Sequence, residues 1–81
     1  MEDIFIVVGT DRDGKVICVK PFRDRNDART FVKLCFQNAF NIAVGEGWGV
    51  ETIDASLAPE YAWVAYGVSE FTWSVRKRML E

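Results

Sequence analysis

Histidine is missing altogether from the 81 residues of this chain. With it go the Ser-His and Cys-His nucleophile pairs and the usual general base near neutral pH. Nearly every zinc site goes too, because two cysteines alone do not complete a tetrahedral shell. Net charge is almost missing as well: ten Lys and Arg stand against twelve Asp and Glu, for −2. No global field draws nucleic acid or an anionic membrane, so any such contact has to come from a local patch. The longest apolar runs, 4–8 and 61–66, fall far short of the ~20 residues that cross a bilayer, and no membrane partner is expected. Met1-Glu2-Asp3 is acidic where a secretion signal is basic, which makes the cytoplasm the expected compartment. Cysteine is limited to Cys18 and Cys35, each inside an apolar pattern and read as a buried, reduced thiol. These gaps leave no catalytic residue, cofactor or metal ligand to name, and the chain reads as a non-enzymatic protein.

What is present is enough for one folded domain, residues 1–81. An apolar fraction of 49% with 27% charged residues separates the chain from disordered sequences, and its length allows a single modest core. The stretch "IFIVVGTDRDGKVICV" sets two apolar runs, 4–8 and 16–19, around Asp11-Arg12-Asp13-Gly14. Its Gly-x-x-x-x-Gly-Lys spacing invites a phosphate-loop reading. However, Val16 stands where that loop needs Ser or Thr for magnesium, a strand follows instead of a helix, and two aspartates would repel the phosphate. A calcium loop fails similarly, since Lys20 falls where the bidentate Glu belongs. Asp and Gly are turn formers, so the stretch is expected to be a β-hairpin, with Pro21 closing its second strand.

Asp24 and Asn26 are candidate N-caps for a helix of four to five turns ending near Gly45. Ala28, Phe31, Val32, Cys35, Phe36, Ala39, Ile42 and Ala43 share one stripe at 100° per residue. "GEGWG", 45–49, reads as a helix C-cap followed by a turn from which Trp48 folds back over the core edge. The functional alternative is a mobile loop presenting that tryptophan to a partner. Residues 50–53 are expected to form a short strand and 54–59 a loop. Residues 61–66 and 71–75 then make a second hairpin turning around 67–70, with a helix over 56–66 as the rival. The expected fold is α+β, an antiparallel ββα-ββ sheet with one long amphipathic helix on one face.

One pattern bears directly on function. Residues 4–8 and 16–19 are apolar at both alternating positions, whereas a sheet with one wet face alternates polar with apolar. One helix covers one side, so either 56–66 crosses the other or a second subunit does. A homodimer is therefore expected. Three tryptophans add contact surface of the kind that dominates protein interfaces. Trp48, Trp63, Tyr66 and Trp73 are the candidate partner contacts, with Arg76, Lys77 and Arg78 as a charged rim. The expected function is docking on another protein, in the manner of small accessory, adaptor or inhibitor proteins such as those of phages and mobile elements. The alternative is nucleic-acid binding by the basic patches at 23–33 and 76–78, with aromatic stacking.

Overall fold

The Asp11 carboxylate accepts hydrogen bonds from the backbone N–H groups of Asp13 and Lys15, both at 2.9 Å. Gly14 adopts φ +80°, a conformation that favours glycine, and its N–H donates to the Asp11 carbonyl. This turn joins β1 (Glu2–Thr10) to β2 (Val16–Phe22) in a computed structural model that describes residues 2–80. The Gly-x-x-x-x-Gly-Lys stretch is thus a hairpin turn whose acidic side chain is spent on its own backbone.

Asp24 caps α1 (Arg25–Gly45) by accepting from the Asn26 N–H at 2.7 Å. At the other end, Gly47 has φ +98°, and its N–H donates to Val44 while that of Trp48 donates to Ala43. That pair of bonds is the Schellman motif, which stops a helix and turns the next side chain back toward it. The residues that α1 buries are small, Ala28, Val32, Ala39 and Ala43, so the helix axis lies close to the sheet. Arg29 donates to the Glu60 carboxylate at 2.9 and 2.6 Å, tying the start of α1 to the turn between the next two strands.

Beyond the helix come a 3-10 turn (Val50–Thr52), β3 (Asp54–Ala58), β4 (Tyr61–Tyr66) and β5 (Ser69–Leu80). The five strands form one antiparallel sheet in the order β2-β1-β5-β4-β3, with α1 packed on one face. The α+β expectation and the hairpin around Gly67 hold. Three local expectations do not. Residues 50–53 are a 3-10 turn held by Thr52 and Ile53 N–H groups, whereas 54–58 pair with β4 as an edge strand. Small residues, Ala55, Ser56 and Ala58, hid that strand's alternation. The hairpin strand over 61–66 holds against its rival, a helix over 56–66: Ala62, Val64 and Tyr66 are buried and alternate with Tyr61, Trp63 and Ala65. Finally, α1 has 21 residues, nearly six turns at 3.6 residues each, so it exceeds the expected four to five.

The core lies between α1 and the sheet, around Val7, Val32, Val64, Tyr66 and Trp73. Gly9 on β1 faces Trp73 across the ladder, and a Cβ there would sit 2.7 Å from Trp73 Cδ1 and 3.2 Å from Cys18 Cβ. The indole therefore occupies the space a side chain would take. Gly9→Val should destabilise the fold by about 1–3 kcal/mol through overpacking, with a shift in tryptophan fluorescence, both read by urea unfolding. An unchanged midpoint would show that the indole does not need that space.

Candidate functional site

Side chains alternate across a strand, so the register assigns each residue to one face. Phe5, Val7 and Gly9 on β1 point to the helix side, as do Phe71, Trp73 and Val75 on β5. The opposite face collects Ile4, Ile6, Val8 and Thr10 from β1, Val16, Val19 and Pro21 from β2, and Tyr61, Trp63 and Ala65 from β4. From β5 it takes Glu70, Thr72, Ser74, Arg76 and Arg78. A register shift between Gly9 and Thr10 inserts Ile17 as an extra residue in β2. That bulge lets Ile17 join Cys18 toward the helix side, where it borders a groove of about 270 Å³ with Cys35, Ile42 and Trp73.

No described residue lies over the opposite face as α1 lies over the first. Val19 is 61% exposed and Tyr61 49%, while Ile4, Ile6, Val8 and Trp63 are half-buried only by their neighbours in the sheet. The candidate contacts divide accordingly. Trp63, Arg76 and Arg78 share the open face, beside Tyr61, Val8 and Ile6, which the sequence pattern did not single out individually. Trp73 and Tyr66 are 5% and 8% exposed and lie in the core on the helix side. Trp48 also packs on that side. It is tilted against Tyr66 at 5.9 Å between ring centroids and lies over Gly67, leaving 38% of its surface exposed. The glycine-rich segment thus folds its tryptophan back over the core edge.

Lys77 points to the helix side as well, with its Nζ 3.4 Å from the Asp3 carboxylate. The basic groups near the helix start are engaged on that side too. Arg25 lies 5.0 Å over the Phe5 ring and 3.4 Å from Glu60, which also holds Arg29. The patches at 23–33 and 76–78 therefore do not merge into one surface: Arg76 and Arg78 stand behind the sheet from Arg25 and Arg29. Sequence adjacency brought Arg76, Lys77 and Arg78 together on paper, and strand alternation separates them.

Among the described residues, no group of three His, Cys, Asp or Glu side chains gathers to hold a metal ion, and no helix is long and apolar enough to cross a membrane. Cys35 has its thiol pKa raised by burial, and further by the neighbouring Cys18, with Lys20 pulling the other way. Tyr66 is raised by burial and by the Glu46 carboxylate. Both remain protonated near neutral pH, the form of a packing group and not of an activated nucleophile. Set against protein-family models, curated proteins and solved structures, the chain finds no match. The class defined so far is structural: an α+β domain with one covered and one open sheet face.

The raised values carry a pH dependence. Each acid binds its proton more tightly in the folded chain than in the unfolded one. The associated stability is whole below the ordinary thiol value of 9.0 and is lost as pH rises through the raised values. Urea midpoints should therefore fall above about pH 9, and Cys35→Ala should reduce that fall. A midpoint that climbs in this range would contradict the assignment. In parallel, iodoacetamide should label Cys35 several-fold more slowly in the folded chain than in the urea-unfolded chain, read by mass spectrometry.

Proposed function

We propose that this chain is a small non-enzymatic binding module that acts by docking on protein through the open face of its sheet. The observation that carries this reading is the composition of that face: Ile4, Ile6, Val8, Val16, Val19 and Pro21 make one contiguous apolar half. Exposed apolar surface of this extent is uncommon on proteins that work alone, and each Å² buried contributes about 25 cal/mol. Tyr61 and Trp63 add large, rigid contact area at low entropic cost, and Arg76 and Arg78 give the rim that limits which partner fits. An accessory, adaptor or inhibitor role needs no more chemistry than this, because its output is the occupation of a partner's surface.

A second reading rests on one feature of the same face. Arginines and aromatic rings sharing one sheet face resemble the stacking platforms that hold single-stranded nucleic acid. Glu70 and Asp54 on that face oppose it, as does the engagement of Arg25 and Arg29 on the far side.

The two readings separate in one retention experiment. Immobilised chain should retain protein from an extract of its native source. Val19→Glu combined with Tyr61→Ala, both at exposed positions, should lower that retention at least tenfold without altering the far-ultraviolet circular dichroism. Unchanged retention would remove the face from the account. Polynucleotide bound at ~50 mM salt and released by ~200 mM would favour the second reading instead.

A further inference from the structure

The charges on the open face of β5 run in an order that a second copy of the same chain would complement. From one end to the other the face reads Glu70, Thr72, Ser74, Arg76, Arg78, acid at one end, bases at the other and hydroxyls between. Asp54, paired with Ala65 in the same row of the sheet as Glu70, adds to the acidic end. Glu70 and Arg78 lie eight residues apart on one extended strand, about 27 Å at 3.4 Å per residue, so they cannot meet within one chain.

We propose that the open face is covered by a second copy of this chain, stacked face to face about a two-fold axis that crosses β5 at Ser74. This rests on the docking reading above and names its partner. The axis sets Arg78 of one copy over the acidic end of the other, twice by symmetry, as an isologous interface requires. It also lays the apolar half formed by β1 and β2 on its own counterpart, with Ile6 and Pro21 of one copy over Thr10 and Val16 of the other. A two-fold axis running along the strands would instead place Arg76 and Arg78 over themselves and the apolar half over the polar one. The charge order therefore selects the antiparallel arrangement, because like charges brought together across an interface are costly.

The dimensions fit the same conclusion. The chain measures 47 × 23 × 16 Å, two layers thick, with a radius of gyration of 13.6 Å where a compact chain of this length has about 12 Å. Its accessible surface is 5430 Å², against roughly 4,900 Å² for a compact protein of 9.2 kDa. A face within that outline is large enough to hold the roughly 800 Å² per chain of a standard stable interface. Two sheets stacked this way form a sandwich with inner side chains about 10 Å thick and a helix on each outer surface.

Charge exchange tests the proposal. Light scattering behind a sizing column should give twice 9.2 kDa for the full chain at micromolar concentration. Arg78→Glu and Glu70→Arg should each raise the dimer dissociation constant about 10- to 100-fold, since either one sets like charges together at both symmetric contacts. Mixing the two variants should restore a dimer containing one of each, and the double variant should dimerise by itself. Both positions lie on the sheet surface, and unchanged circular dichroism would verify the fold of each variant. A 9.2 kDa monomer up to ~100 μM would overturn the proposal, as would a dimer indifferent to both reversals or failing to re-form on mixing. A monomer that still loses extract protein on Val19→Glu with Tyr61→Ala would overturn the second copy and leave the docking reading standing.

Discussion

A single helix has one stripe to offer a sheet, and a sheet has two faces. In this chain α1 spends its small residues, Ala28, Val32, Ala39 and Ala43, on close contact with one side of five strands. Nothing comparable is left in the described residues for the other side. The rest of the structure follows from that constraint. The helix side can be dry and built from rings, whereas the other side must keep its apolar residues in water or give them to a partner.

The dry side is held by a few interlocking contacts. Trp73 lies over Gly9, stacks on Phe71 and lines the groove beside α1; Tyr66 continues the row toward Trp48, which the Schellman turn brings back from the helix end. The Arg29 and Glu60 pair fastens the opposite end of the helix to the turn between β3 and β4. Each of these serves packing. The raised pKa of Cys35 and of Tyr66 agrees, since burial favours the neutral form of both.

Much of this was legible in the residues. Asp11 to Gly14 announced the first hairpin and Asp24 the helix start. The doubled apolar pattern of 4–8 and 16–19 announced a second face in need of a cover, because a solvated strand would have alternated. What could not be read were features that depend on pairing. Ala55, Ser56 and Ala58 carry too little contrast to mark β3, and only their register with β4 reveals the edge strand. Trp73 and Tyr66 look like contact residues in composition, yet Gly9 and α1 claim them for the core. Arg76, Lys77 and Arg78 look like one patch until alternation sends Lys77 to the other side, toward Asp3. The charge order from Glu70 to Arg78 is visible in the sequence only once those residues are known to share one face.

The central claim is that the open face is closed by protein in solution, and hydroxyl-radical footprinting over a dilution series measures this side chain by side chain. Oxidation of Tyr61 and Trp63 should fall as the chain is concentrated from nanomolar to high micromolar, while that of Trp48, on the helix side, stays constant. Equal oxidation of Tyr61 and Trp63 at every concentration would contradict the account, because it would mean that this face remains in water.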